Sequence, residues 1–405
     1  MKLIRSESKE LSKIYDRSLY RRKSIAEKVS KILEDVRNFG DTALIKYTKK
    51  FDKVKFSPRQ LKVTESEISS AYQNVSTDFV DALKVAFSNV TKFYKRQLRN
   101  SWKIKDSDGV ILGEKVLSLE SVGIYVPAGL HPYISTVYMA VLPAKITGVK
   151  RIVLCSPPDK SGNINPHILV VANLLKVDEI YKVGGAQAIA ALAFGTKTIP
   201  KVSKIVGPGN IFVTEAKRQV FGYVDVDMLA GPTELAVIAN RFTPPELVIS
   251  DLLSQVEHPG SLIFLITTSK SLAKFVKDKV SQGYIILAKN LNQAAEIANE
   301  ISPEHLQILI RNPYRILKRI RNAGCVFLGL FSPVAVGDYI AGPSHVLPTT
   351  GTAKFFSGLN IRDFTKSVNI VSYSKKALEK IKGPLEKIAT VEGMTKHLDS
   401  VKMRF

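Results

Sequence analysis

Cysteine, tryptophan and histidine are scarce in this chain, and acidic residues are outnumbered by basic ones. Among 405 residues there are two cysteines, one tryptophan and six histidines. Cys155 and Cys325 each sit among apolar residues, which excludes a disulfide framework. No apolar run approaches the roughly 18 residues of a membrane span, and Met1-Lys2-Leu3-Ile4-Arg5 is not followed by a signal-peptide core. A cytoplasmic protein without a membrane partner is therefore expected. There is no G-x-G-x-x-G, so the usual dinucleotide fingerprint is missing.

The shortage of acids is the one compositional oddity: 59 Lys and Arg against 36 Asp and Glu give a net charge of +23. Such a charge invites a polyanion partner. Its basic residues, however, recur at Lys92–Lys105, Arg311–Arg321 and Lys375–Lys387 without a regular interleaving of aromatic platforms and without a nucleic-acid motif. A solvated Lys-rich surface is the better reading, and nucleic acid is not expected as a partner. With 45% hydrophobic and 23% charged residues, the chain has the balance of a soluble globular protein of two or three domains.

What the chain does contain is a sequence of short apolar runs after a helical start. In residues 1–110, Ile25, Val29, Ile32, Leu33 and Val36 follow the 3.6-residue period. Asn38-Phe39-Gly40-Asp41 should end that helix at the glycine and cap the next with the aspartate. Ile68–Tyr72 and Phe79–Tyr94 continue the helical pattern. Over residues 111–234, strand-like runs at Ser121–Val126, Arg151–Cys155, Glu179–Val183 and Lys204–Val206 alternate with helical stretches at Tyr138–Ile146, Ile168–Leu175 and Ala186–Phe194. That alternation predicts a parallel sheet with helices on both faces.

Ligands collect at the carboxyl ends of such strands. The loops there are Val126–Gly129, Gly184-Gly185-Ala186-Gln187 and Gly207-Pro208-Gly209-Asn210, whose glycines let backbone N–H groups approach a phosphate or a ring. The pattern restarts over residues 235–349, with strands expected at Leu235–Ile238, Leu262–Thr267, Tyr284–Leu287 and Cys325–Leu328. Helices are expected at Leu247–His258, Leu272–Val280, Gln293–Ile301 and Tyr314–Arg321. Residues 350–405 form a tail with a Lys-rich helix.

One stretch stands out chemically, Asp251-Leu252-Leu253-Ser254-Gln255-Val256-Glu257-His258-Pro259. Leu252, Leu253 and Val256 mark a buried helix face, and the three-residue spacing stacks Gln255 beside His258. Pro259 disfavours helical geometry in the residue before it, so the turn should end at His258. A carboxamide oxygen and an imidazole held together would suit a metal. Of the other histidines, His131 and His167 lie in loops near prolines without acidic partners and read as structural or surface residues. His305 follows Glu304 in Ser302-Pro303-Glu304-His305-Leu306, where the proline is expected to start a helix. His345 lies seven residues after Asp338, and His397 five after Glu392. Asp338 and His397 could complete a Gln/His/Asp/His set around zinc, leaving Glu304 and His305 as an adjacent acid–base pair.

These residues also resemble the histidinol dehydrogenase family. The resemblance runs from Val36–Asp41 and Phe51-Asp52 to the tail, through Gly184–Ala191, Ile205–Asn210, Ala230–Glu234, Asp251–His258, Pro303–Leu306, Gly337–Tyr339 and His345–Thr349. It implies two similar three-layer α/β/α domains with mainly parallel sheets, N-terminal helices and a C-terminal dimerisation tail. The corresponding boundaries are 1–110, 111–234, 235–349 and 350–405. It further implies a four-electron oxidation of L-histidinol, through the aldehyde to the acid, using NAD. Zinc would be held by Gln255, His258, Asp338 and His397, and would anchor the substrate. Glu304 and His305 look like the proton-transfer pair, Thr233, His345 and Glu392 like further substrate contacts, and Tyr125, Gln187 and Asn210 like NAD contacts. The family works as a homodimer with shared active sites, so His397 is expected to serve the partner subunit.

This chain departs from the family pattern in three places. Thr233 stands where serine is usual, Val256 replaces alanine, and Ala128–Ile134 replaces a more Gly- and Pro-rich loop. Three other functions compete. A zinc hydrolase could use the same ligands with Glu304 as base, but it leaves the glycine loops without a job. A thiol-based aldehyde dehydrogenase would need Cys155 or Cys325 activated, and neither has a base beside it. The third is the nucleic-acid binder weighed above.

Overall fold

The structure, a computed structural model, describes residues 1–17, 23–128 and 131–405. Gly129 and Leu130 of the strand-end loop lie outside the described residues. The chain forms two compact units: residues 1–97 with 119–364, and residues 98–118 with 365–405.

The first unit holds two parallel sheets. In one, Glu179–Lys182, Arg151–Ser156, Ser121–Tyr125, Lys204–Val206 and Asp225–Val226 lie side by side in that order. Successive side chains of a strand point to opposite faces, and here both faces are apolar. Val122, Ile124, Ile152 and Leu154 pack into one core with the helix Ile134–Thr147. Tyr125, Val153, Cys155 and Ile205 pack into another with the helix Gly185–Phe194. Two cores on one sheet make three layers, as the alternating pattern predicts. The helices Lys23–Phe39 and Asp41–Phe51 bury Val29, Val36 and Leu44 in the second of these cores.

The other sheet has the order Lys2–Arg5, Tyr284–Leu287, Leu262–Thr267, Glu234–Ala239, His305–Leu309 and Cys325–Leu328, with every pair parallel. Ala236, Ile238, Phe264 and Ile266 face one core, and Leu235, Val237, Ile263 and Leu265 the opposite one. Two sequence expectations fail in this sheet. The first residues are not helical: Lys2–Arg5 pairs in register with Tyr284–Leu287 as an edge strand. Nor does Pro303 open a helix, because His305–Leu309 is a fully buried strand between Glu234–Ala239 and Cys325–Leu328. Its apolar residues bury on both faces, which outweighs the local preference of a proline.

Smaller corrections concern helix ends. The helix through Gln255 spans Pro245–Val256, so His258 lies two residues beyond it, in a bend ahead of Pro259. The helix expected to reach Arg321 is the short Pro313–Leu317. Gly40, not Asp41, is the cap of the helix Asp41–Phe51. The Asp41 carboxylate instead accepts from the Thr198 hydroxyl at 2.6 Å.

In the second unit Trp102–Lys105, Ile111–Ser118 and Thr365–Ser372 form an antiparallel sheet, followed by the helices Lys375–Val391 and Thr395–Lys402. Stretches some 250 residues apart in sequence thus pair residue by residue, as in Glu114 with Asn369. Among the described residues no helix is long and apolar enough to cross a membrane.

Candidate active site

At the start of the strand His305–Leu309, Glu304 faces the start of the strand Glu234–Ala239. The register sets His305 opposite Leu235. A polar contact follows directly: the Glu234 N–H donates to Glu304 Oε2 at 2.9 Å, and the Thr233 hydroxyl donates to the same oxygen at 2.5 Å. Gln255 Nε2 donates to Thr233 Oγ at 2.7 Å, tying the helix Pro245–Val256 to this corner. His305 Nδ1 lies 3.1 Å from the Glu234 carbonyl oxygen and 3.6 Å from Glu304 Oε2. On its far side, His305 Nε2 stands 3.5 Å from Asp338 Oδ1 and has no hydrogen-bond partner among the described residues.

Glu304 and His305 are both buried. Burial pushes the Glu304 carboxyl up to about 7, against the lowering effects of His305, the Thr233 hydroxyl and the Glu234 N–H. Burial disfavours a charged His305, but the carboxylates of Glu304 and Asp338 outweigh it and raise the imidazole to about 9. Asp338, itself penalised by burial, is held below the usual carboxylate range by His305, His345 and His258. The arrangement is a carboxyl and an imidazole in contact, sharing protons at near-neutral pH.

Two other predicted residues join this group. His345 Nδ1 lies 3.1 Å from the Asp338 carbonyl oxygen and Nε2 3.0 Å from Thr136 Oγ, which links the two parallel-sheet halves of the unit. His258 is exposed, yet its charge acts on both Asp338 and His345. Glu392 and His397 belong to the second unit, where both are exposed.

Sequence reasoning missed the support behind this corner. The Arg17 guanidinium donates to both carboxylate oxygens of Glu234 at 3.1 Å and to the Ile301 carbonyl at 2.7 Å, and the Thr350 N–H adds a further bond to Glu234. The Glu234 main chain, which holds Glu304 and His305, is thereby fixed from its own side chain. No motif marks Arg17. Asp251 was visible in its motif but not its task, which is to accept from Gln307 Nε2 at 2.6 Å in the same strand as His305.

The predicted NAD contacts lie at the carboxyl ends of the other sheet's strands. Tyr125 ends its strand, and its hydroxyl accepts from the Gly185 N–H at 3.1 Å. Gln187 is buried, with Oε1 lacking any partner among the described residues. Asn210 caps the helix Ile211–Val220 through bonds to the Phe212 and Val213 N–H groups. The loop before it needs glycine: Gly207 has φ +117°, and a Cβ there would lie 2.1 Å from the Tyr125 carbonyl oxygen. Gly207 is gripped at both ends, its N–H by Asp227 and its carbonyl by Lys217, two buried residues that pair with each other. An orphan acceptor beside a glycine-lined backbone fits a nucleotide with hydrogen-bond donors.

The expected metal ligands have donor types that zinc accepts: Asp338 is held below the usual carboxylate range, Gln255 uses its N–H₂ on Thr233 and keeps its carbonyl oxygen for another partner, and His258 offers an imidazole nitrogen. Yet no three His, Cys, Asp or Glu among the described residues gather as a metal cluster. Cys155 is buried with its thiol pushed far up by burial, and Cys325 is raised by burial to about 11. Neither is a ready thiolate nucleophile.

A paired α/β scaffold with a buried acid–base couple at the strand starts of one sheet and glycine loops at the strand ends of the other defines a class, an α/β oxidoreductase. The comparisons narrow it. The family model described as histidinol dehydrogenase matches residues 15–405. Histidinol dehydrogenase of Caldanaerobacter subterraneus subsp. tengcongensis is 48% identical, the match covering 97% of this chain and 96% of that protein. The crystal structure of histidinol dehydrogenase from Elizabethkingia anophelis superposes with a TM-score of 0.93 at 37% identity, covering 100% of this chain and 98% of that one. A salicylaldehyde dehydrogenase from Pseudomonas putida G7 shares the fold alone, with a TM-score of 0.50 at 12% identity over 86% of this chain and 91% of that one. This chain belongs to the histidinol dehydrogenase family.

The raised Glu304 pKa carries a stability cost. Its carboxyl binds a proton more tightly when folded (about 7) than at the ordinary 4.5, so the metal-free protein loses stability as pH rises between these values. Glu304→Gln is expected to flatten that decline, measured by urea unfolding from pH 4.5 to 8. An unchanged slope would mean that Glu304 titrates normally.

Proposed function

We propose that the protein oxidises L-histidinol to L-histidine through L-histidinaldehyde, removing four electrons with two NAD⁺, as the last step of histidine biosynthesis. The observation that carries this reading is the Glu304–His305 pair, buried and held 3.6 Å apart beside Thr233. A buried carboxyl–imidazole couple suits alternate acid and base steps.

In the first half-reaction His305, once it has released its own proton to solvent, would accept the alcohol proton, and bound NAD⁺ would supply the hydride acceptor for the carbinol carbon, giving the aldehyde. In the second, Glu304 takes a proton from a water that adds to the aldehyde carbon. His305, having released its first proton to solvent, would then accept a proton from the resulting hydrate anion as a second NAD⁺ supplies the hydride acceptor, yielding the carboxylate. One water is consumed, and two NADH and three protons are formed. Thr233 keeps Glu304 oriented, which explains why threonine serves where the family has serine: the hydroxyl is the part used. Zinc, held by Gln255, His258, Asp338 and His397, would supply an anchor for the substrate's imidazole and amino groups. His345 and Glu392 would add substrate contacts, and Tyr125, Gln187 and Asn210 would receive NAD.

Glu304→Gln is expected to slow oxidation of supplied aldehyde by about 10²- to 10⁴-fold while sparing alcohol oxidation more. Stopped-flow NADH formation from each substrate checks this, and aldehyde oxidation at the normal rate would remove Glu304 from water activation.

We infer further that the protein works as a homodimer in which His397 completes the partner's metal site. Its exposure on a helix of the small tail unit suits an arm that reaches a second chain. His258→Ala and His397→Ala, each inactive, are expected to regain roughly a quarter of wild-type activity when unfolded and refolded together, because half the randomly paired dimers then carry one intact site. A mixture that stays inactive would place His397 in its own chain's site.

A further inference from the structure

One carboxylate beside the glycine loops has no role in the scheme above. Asp52 stands at the C-terminal cap of the helix Asp41–Phe51, and its Oδ2 is buried without a hydrogen-bond partner among the described residues. Leaving a carboxylate oxygen buried and unpaired is costly, so proteins do it rarely and each case calls for an explanation, a missing partner among them.

The surroundings identify where Asp52 lies. The helix Asp41–Phe51 packs on the helix Gly185–Phe194. Its first residue, Asp41, bonds to Thr198, just past the C-terminal end of that neighbour. The start of the helix Asp41–Phe51 therefore lies at the end of its neighbour remote from Gly185, and Asp52 stands a full helix away from that start. The charge of Asp52 acts on Tyr125, whose hydroxyl accepts from the Gly185 N–H. Gln187, one turn into the same helix, has a buried and unpartnered Oε1. Asp52 Oδ2 and Gln187 Oε1 are thus two unpaired oxygens near the Tyr125 strand end, and as carboxylate and amide oxygens both can only accept.

Two such acceptors call for a ligand that donates hydrogen bonds and carries no negative charge at that point. Inorganic phosphate or a phosphate ester would meet a carboxylate that burial raises only to about 6, and which is mostly ionised at pH 7.5. A pair of neighbouring hydroxyl groups matches: a carboxylate accepts two O–H donors side by side, and an acid on the ribose 2′-hydroxyl is a recurrent way to bind NAD. We propose that Asp52 is a specificity-determining residue that accepts hydrogen bonds from the ribose hydroxyls of the adenosine half of the dinucleotide, and so admits NAD while rejecting NADP. This rests on the reading of the first sheet's loops as the NAD site.

The test compares NAD⁺ and NADP⁺ as oxidants of L-histidinol in the wild type and in Asp52→Asn. Wild type should prefer NAD⁺ strongly. In the variant, kcat/KM for NAD⁺ should fall about tenfold to a hundredfold through KM, as expected for lost charge-assisted bonds. Activity with NADP⁺ should hold or rise, and KM for L-histidinol should stay the same. A merely structural role would lower both oxidants together; an unchanged NAD⁺/NADP⁺ ratio overturns the proposal. Equilibrium binding to the unmutated protein gives a second reading independent of turnover and of how the variant folds. AMP should bind, and adenosine 2′,5′-bisphosphate should bind at least tenfold more weakly; equal affinities overturn the assignment. If the wild type reduces neither nicotinamide, the NAD reading itself fails, an outcome distinct from an unchanged ratio.

Discussion

The chemistry of this molecule depends on one constraint, a carboxyl group kept buried where two neighbouring strands of a parallel sheet begin. Glu304 is excluded from water, so its carboxyl is pushed up to about 7, and it survives there because two donors and an imidazole meet it. Both donors come from consecutive residues, Thr233 and Glu234, at the start of the neighbouring strand. Register between two strands therefore sets the geometry of the acid–base pair. A slip by one residue would turn His305 to the opposite face. Arg17 and Thr350 fix that register from outside by holding the Glu234 side chain.

The two sheets use opposite ends. In the first, the proposed NAD contacts lie at the carboxyl ends of strands, after Tyr125, Lys182 and Val206, where glycine turns open the backbone. In the second, Glu304 and His305 lie where their strand begins. The link between these halves is direct: Thr136, on a helix of the first, meets His345, which in turn meets Asp338 in the second. An imidazole thereby couples the helix Ile134–Thr147 to the short helix Val334–Tyr339, which carries the candidate metal ligand Asp338.

Much of the scaffold was legible because central strands buried on both faces read as short, continuous apolar runs. Leu262–Thr267 and Tyr284–Leu287 emerge at their true bounds for this reason. The strand His305–Leu309 was hidden by Pro303, whose local signal points to a helix, while the tertiary pairing that overrides it is invisible in a linear reading. Lys2–Arg5 was hidden differently: four residues with two charges give no strand signal, and only the waiting edge at Tyr284–Leu287 makes them one. The site was legible as residue types in motifs. Its supports were not, because Arg17 with Glu234 and Lys217 with Asp227 are buried ion pairs whose partners lie far apart in sequence or carry no motif.

The central claim is that one buried acid–base pair serves two successive oxidations of one substrate. The most direct measurement is the number of NADH formed per L-histidine released from L-histidinol, with and without a metal chelator. The account predicts two NADH for each histidine, and loss of both products together when the metal is removed. One NADH per substrate with aldehyde accumulating, or histidine formed without NADH, would contradict it.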